Sequence, residues 1–447
     1  MAHATERMTE GPIGKTLVRF AVPLFLGNLF QQMYNTADAL IVGNFLGDTA
    51  LAAVSSTGSL IFLLIGLFQG IAIGAGVVIS RYFGAEDNKN MHKAIHTNLA
   101  FSLLVALILT AVGTTMCPLF LKWMKTPAAV MAQAVTYLQI YFCGSIGLVL
   151  YNTCTGIMQA LGDSRHPLYY LVISSLLNVV LDMVFIAVFG MDVEGAALAT
   201  VLSQLISVLL CARRLLCTTE DYQVSLCDIR FDRPILREII RYGLPSGLQN
   251  SAIAIANVCV QFHINTFGAM AMSGCGAYSK IEGFAFLPIT SFTAALTTFV
   301  GQNSGGAKYE RTKKGAKFGI TCSLLLAEVI GLIIFLAAPL LIGAFTDTPE
   351  ALAFGVDKAR ICALFYCLLA ASHCLSAVLR GAGLSSVPMF VMLAFWCVIR
   401  VLFLTVTARL TDSILPVNWV YPLTWALSTV TLTIYYCKVD WLHRHKM

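Results

Sequence analysis

Six ionisable side chains stand inside long apolar runs of this chain: Asp38, Asp182, Lys280, Glu282, Glu328 and Arg400. A charge at membrane depth costs about 2.5–3.5 kcal/mol on insertion scales, so each is a functional candidate. Asp38 and Asp182 form the sharpest pair. Each has an amide one helical turn away on the same face, Asn35 before Asp38 and Asn178 before Asp182. At ~1.5 Å per residue, Asp38 lies ~27 Å and Asp182 ~21 Å along their helices. Both then fall in the outer half of one six-helix lobe, as does Thr200 on the following helix. Two carboxylates in one dehydrated pocket do not both stay charged, so the pair takes up a proton near neutral pH; the same oxygens suit Na⁺. The competing reading is that each Asp hydrogen-bonds a neighbouring helix and only fixes packing.

The other four charges leave more open. Lys280 and Glu282 stand two turns from the end of their helix, where Lys280 can snorkel to the interface. Glu328 is mid-helix with no partner visible in the sequence, and Arg400 either faces a cavity or pairs with Glu328. His263 and His373, in apolar helices, read as packed, hydrogen-bonded imidazoles rather than as a proton relay. Pro23 breaks the hydrogen-bond ladder fifteen residues below Asp38, and Pro245 and Pro288 mark two further kinks. Gly66, Gly70, Gly74 and Gly76 permit close helix approach.

The elements that position these residues are all helices. Twelve spans are expected, near 17–46, 51–79, 96–121, 131–160, 168–189, 195–212, 242–268, 273–300, 318–344, 359–380, 387–408 and 417–437. A bilayer core of ~30 Å needs about 20 apolar residues per helix. Turn chemistry separates the runs at Gly47-Asp48, at Gly162-Asp163 through Pro167, and at Thr346-Asp347-Thr348-Pro349. The fold class is therefore all-α integral membrane. Hydrophobic residues make up 58% of the 447 and charged residues 12%, against about 25% charged in a soluble domain.

The chain also repeats itself. Residues 13–167 are echoed by 235–388: Pro23 falls on Pro245, Asn28 on Asn250 and Asn35 on Asn257 at an offset of 222. At 221, Gln159-Ala160-Leu161-Gly162 falls on Arg380-Gly381-Ala382-Gly383, and Pro167 on Pro388. Six spans per half make these parallel repeats around a central cavity, an architecture of secondary transporters. The expected organisation is an amino-terminal lobe over 1–212, a basic cytoplasmic linker over 213–236 and a carboxy-terminal lobe over 237–447. Lys and Arg collect on one side; the opposite side holds only Lys122, Lys125, Lys358, Arg360 and Arg409. The positive-inside rule then places both termini in the cytoplasm.

Several function classes are disfavoured. The net charge of +6 is modest and gives no reason to expect nucleic acid. No G-x-x-x-x-G-K-[ST] is present, so direct drive by ATP is not expected. The 14 cysteines form no C-x-x-C pair and no Cys/His cluster at metal spacing, so neither a metal nor another cofactor is expected, and they read as small packed hydrophobes. No nucleophile or His/Asp cluster gathers at one membrane face, which argues against an enzyme. No removed signal peptide is read at the polar start (Arg7, Glu10, Lys15).

The chain resembles the MATE (multidrug and toxic compound extrusion) family over nearly its whole length. Ala21-Val22-Pro23 through Tyr34-Asn35-Thr36-Ala37-Asp38, with Val42-Gly43 and Leu46-Gly47, is similar to that family's first helix. Asn178-Val179-Val180-Leu181-Asp182 and Gly195-Ala196-Ala197-Leu198-Ala199-Thr200 resemble its fifth and sixth. Gly301-Gln302-Asn303-Ser304-Gly305-Gly306 and Leu379-Arg380-Gly381-Ala382-Gly383 resemble its later signatures. The resemblance implies a multi-pass plasma-membrane antiporter, monomeric, that exports lipophilic organic cations in exchange for H⁺ or Na⁺. By the same resemblance Asp38, Asn178, Asp182 and Thr200, with Asn35 beside them, form the coupling-ion site, and Pro23 is the bend of the first helix. Where some Na⁺-coupled relatives carry acids on helices 7 and 10, this chain has Gln249, Asn250 and Asn257, then Ser372 and His373; coupling through the amino lobe is thereby favoured. Tyr34, Tyr137, Tyr141, Asn257, Lys280, Glu282, Glu328 and Arg400 are the candidate cavity residues, the tyrosines as stacking faces for flat cations. A rival reading is a flippase for a lipid-linked saccharide precursor, which would need several Lys or Arg to hold pyrophosphate.

Overall fold

A computed structural model describes residues 7–124, 126–346 and 348–443. Lys125 and Asp347 of the expected loops lie outside the described residues. The helices are α1 Ile13–Leu46, α2 Asp48–Gly84, α3 Asn88–Trp123, α4 Ala128–Cys143, α5 Ser145–Ala160, α6 Arg165–Asp182 and α7 Val193–Leu216. There follow α8 Arg233–Asn265, α9 Ala269–Gly305, α10 Tyr309–Gly343, α11 Pro349–Ala363, α12 Tyr366–Gly381, α13 Ser386–Met392, α14 Arg400–Leu410 and α15 Leu415–Lys438. Helices cover each of the twelve expected ranges, four of them in pieces. The fourth is bent by 49° between α4 and α5, and the tenth by 54° between α11 and α12. The eleventh runs α13 to α14 through a π-helical stretch, Leu393–Ile399, and another such stretch, Met183–Val188, continues α6 at a different point of the repeat.

Helix α10 shows why these runs fold as membrane helices. One face is small: Gly315, Ala316, Gly319, Ser323, Ala327, Gly331 and Ala338 are buried. The other is large, apolar and uncovered: Leu325, Val329, Leu332, Leu336 and Leu340 are exposed. In water that outward stripe would be an aggregation site; in lipid it is the solvated face, and small inward residues let backbones approach closely.

The repeat recurs in the backbone itself. Gly47 (φ 83°) and Gly268 (φ 89°) start α2 and α9 in the left-handed half of backbone space, which glycine enters without a Cβ clash. Gly162 and Gly383, and even the non-glycine pair Glu86 and Ala307, repeat their positive φ at the same 221-residue offset. The α4/α5 break at Gly144 likewise lies 221 residues before the α11/α12 break at Phe365.

The chain divides into two compact units. The first contains Leu26–Leu244 with Arg7, and the second Met8–Phe25 with Pro245 onward. The divisions therefore run through α1, close after Pro23, and through α8, at Pro245. In the second unit, Gln302 Oε1 accepts from Met8 N–H at 2.9 Å, and Arg311 donates to the Met8, Glu10 and Gly11 carbonyls. In the first, Tyr82 donates to Glu238 at 2.9 Å, and Gly74 meets the backbone of Gly243. Residues 213–236 pack into the first unit rather than hanging as a free linker. Tyr222, Val224 and Ile235 enter its apolar core.

That segment is braced from α3. His96 Nδ1 donates to the His92 carbonyl at 2.7 Å, and its Nε2 accepts the Ser225 N–H at 3.0 Å. Asp232 caps α8 by accepting the Ile235 N–H at 3.2 Å, and pairs with Lys93 at 3.2 Å. The Ile235 N–H and the Lys93 ammonium hold the Asp232 carboxyl below the usual carboxylate range. Its contribution is therefore present above an unfolded value of about 3.9 and is lost as pH falls through the lowered folded value. In limited proteolysis the double substitution His96→Ala, Asp232→Ala is expected to speed tryptic cleavage at Arg230 by about tenfold. The helical circular dichroism should stay unchanged, and an unchanged cleavage rate would show that the segment is held elsewhere.

Candidate functional site

Asp38 and Asp182 meet. Asp182 ends the α-helical part of α6 and is fully buried; the π-helical turn begins at the next residue. Such turns often mark functional sites, because the extra residue re-aims side chains. The Asp38 carboxylate, half-buried on α1, interacts directly with that of Asp182. Yet Asp38 Oδ1 and both Asp182 oxygens are buried without a hydrogen-bond donor. The two groups face each other acceptor to acceptor. A shared proton, a cation or another donor is needed to satisfy them.

Asn178, one turn before Asp182 on α6, is 1% exposed, and both its amide atoms also lack partners. Buried polar groups are nearly always bonded, so this cluster of orphaned oxygens calls for an occupant. Two carboxylates and an amide carbonyl are hard oxygen donors, of the kind that suits Na⁺ or a shared H⁺. Tyr34 and Tyr137 lie in the electrostatic neighbourhood of both acids. The Tyr137 and Tyr141 rings stack at 6.2 Å and 20°. Gln31 hydrogen-bonds Tyr34, and Gln204 hydrogen-bonds Tyr141; sequence reading had passed over both amides. Two expected members make no hydrogen bond to either acid among the described residues. Asn35 is exposed. Thr200 is half-buried on α7.

In the second unit the expected charges fall into three different situations. Lys280 is exposed. Glu328 does not pair with Arg400. It accepts the Cys367 N–H at 3.3 Å and so caps the start of α12 at the bend. Arg400, 1% exposed, donates to Asn257 Oδ1 at 3.3 Å and to Thr424 Oγ1 at 2.9 Å, with its guanidinium 4.8 Å from the Tyr421 ring centroid and 5.0 Å from that of Trp396. Glu282 accepts the Tyr278 hydroxyl at 3.1 Å. His263 donates through Nδ1–H to the Cys259 carbonyl at 2.8 Å, and His373 packs edge-on to Phe286 and Trp396 with its buried Nε2 unbonded among the described residues, so the expected hydrogen bond is absent there.

One expectation is corrected. Lys358 was placed in an outer loop, but it is 2% exposed inside the second unit. Pro349 takes the first position of α11, so the helix starts ten residues earlier than the expected span and Lys358 lies in its third turn. The clue was available in the small residues Ala351, Gly355 and Ala359, which mark a buried face beside it.

One His/Asp group among the described residues has metal-ligand proximity: His92, His96 and Asp228. Both His96 nitrogens are already engaged by His92 and Ser225. The group is a structural brace.

The family model MatE matches residues 23–184 and again 245–406, one copy per repeat. The chain belongs to the MatE family. It is 30% identical over 395 residues to the probable multidrug resistance protein YpnP of Bacillus subtilis, covering 87% of each chain. It is 26% identical to the probable multidrug resistance protein YoeA of the same organism, over 97% of this chain and 95% of that one. A solved structure described as an outward-facing multidrug resistance MATE family transporter superposes with a TM-score of 0.91 over the full length of both chains, at 24% identity. Like its MatE relatives, the chain is a multi-pass membrane protein of the multidrug efflux transporter family, built on two repeats.

Proposed function

We propose that this MatE chain is a plasma-membrane antiporter, with both termini cytoplasmic, that exports lipophilic organic cations in exchange for H⁺ or Na⁺. The observation that carries the reading is the meeting of Asp38 and Asp182, buried and without donors. In the outward-open state the charged pair favours a bound organic cation, with the faces of Tyr34 and Tyr137 adding cation–π attraction. Entry of H⁺ or Na⁺ neutralises the acids and removes that attraction. Pro23, which leaves one rung of α1 unbonded, lets the helix bend as the charge changes. The cargo leaves, and return to the inward state releases the coupling ion. A flippase for lipid-linked saccharides is less well supported, since the orphaned acids Asp38 and Asp182 would repel a pyrophosphate.

The test is made in proteoliposomes loaded with a fluorescent lipophilic cation, with a pH gradient and a Na⁺ gradient imposed separately. Movement driven by one gradient names the coupling ion. Movement driven by neither would remove cation antiport for that cargo.

A further inference from the structure

The two units join their corresponding spans through different residues. In the first, the first span meets the fifth through Asp38 and Asp182. In the second, the corresponding spans meet through Asn257, the repeat counterpart of Asn35, and Arg400, which directly follows the second π-helical stretch. An acid–acid contact is replaced by an amide and a guanidinium. Close by lies Lys358, 2% exposed, whose ammonium makes no hydrogen bond or ion pair among the described residues. It is held instead over two rings, 5.5 Å from the centroid of Tyr278 and 5.0 Å from that of Tyr421. Tyr421 is therefore shared between Lys358 and Arg400.

We propose that the second unit carries a distinct binding site, centred on Lys358, for a single negative charge: a halide or the carboxylate of a small solute. Charge and unmet bonding both support it. Glu282 is the acid in the electrostatic surroundings of Lys358 and Arg400, and it already accepts the Tyr278 hydroxyl. Two cations against one acid leave one positive charge unbalanced in an apolar setting, which one monoanion neutralises. Donors are also waiting. They are the Nε–H of Arg400 and the Nδ2 amide of Asn418, both buried and unbonded. Asn418 is tied to the same helix as Lys358, since its carbonyl accepts the Cys362 thiol at 3.8 Å. It stands one turn before Tyr421 on α15. The cluster borders the surface of the unit at Asn257, which is exposed. Nothing in this site involves Asp38 or Asp182, so it stands or falls separately from the proposed coupling pair.

Trp396, stacked on Arg400, and Trp425, beside Tyr421, make the site visible in fluorescence. The full-length chain in a non-ionic detergent would be titrated with sodium bromide, a heavy-atom quencher. The expected result is a saturable quenching component in wild type and in Lys358→Arg, weakened at least about tenfold in Lys358→Met. Displacement of that component by benzoate would assign the site to carboxylates, and its persistence would assign it to small inorganic anions. Purely linear, collisional quenching in the wild-type protein would overturn the proposal. So would a saturable component that Lys358→Met leaves unchanged.

Discussion

Asp182→Asn is expected to abolish gradient-driven export while leaving the protein folded. Asparagine matches aspartate in shape but carries no charge, and its amide N–H₂ can donate to Asp38 where no donor now stands. The pair becomes a satisfied hydrogen bond, and the site loses both its affinity for the coupling ion and its attraction for a cationic cargo. Transport driven by the active gradient should fall by at least about tenfold, the effect of roughly 1.4 kcal/mol of lost differential binding. Asp38→Asn should behave alike, since either substitution leaves one carboxylate where two are needed. A packing role makes the opposite forecast. An Asp that only ties helices together would be replaced by Asn with little change, or even with a gain in stability, because a buried unpaired charge is costly. Uptake into vesicles, normalised to folded protein by gel filtration, separates the two.

The largest structural effect is expected where a glycine lets two backbones touch. A Cβ on Gly274 would sit 2.1 Å from the Ala351 carbonyl oxygen and 2.8 Å from the Gly355 nitrogen. On Gly74 it would sit 2.2 Å from the nitrogen and 2.3 Å from the Cα of Gly243. Both obstacles are main chain, so no rotamer change relieves them. Gly274→Val must push α11 from α9, and Gly74→Val must push α8 from α2. Overpacking against rigid surroundings costs about 1–3 kcal/mol and often more. Each variant is expected to lose most of its monodisperse peak in detergent, with a thermal midpoint several degrees lower in what remains. Gly276→Val is the control, because a Cβ there meets nothing within 4 Å. Equal yields from all three would mean that these helices have room to part.

Much of this architecture was legible in the sequence because membrane helices announce themselves through length and apolarity, and because the chain repeats. The offset that aligns Pro23 with Pro245 and Gly162 with Gly383 returned as matching backbone angles and matching bends. The meeting of Asp38 with Asp182 was legible for a related reason: helix rise places both acids at similar depth in the same lobe, on its first and fifth spans. What remained hidden was lateral. Spacing along α1 puts Asn35 on the face of Asp38, but spacing does not say how far up that face the neighbouring helices reach, and Asn35 is exposed. Lys358 was hidden for a different reason. A cation near the end of an apolar run reads as a loop residue until the helix start is seen to be Pro349, and the tyrosines that shelter it come from helices distant in sequence.

The central claim is that cargo and coupling ion compete for the Asp38/Asp182 pair, and the most direct measurement is ion release on cargo binding. Tetraphenylphosphonium would be added to the purified chain in weakly buffered detergent solution, with pH and free Na⁺ followed together. Competition predicts that wild type releases about one H⁺ or one Na⁺ per cation bound, as linkage requires when two ligands exclude each other. It also predicts that Asp182→Asn releases neither. Cation binding with no ion released from the wild-type chain, or with equal release from the variant, would contradict the account.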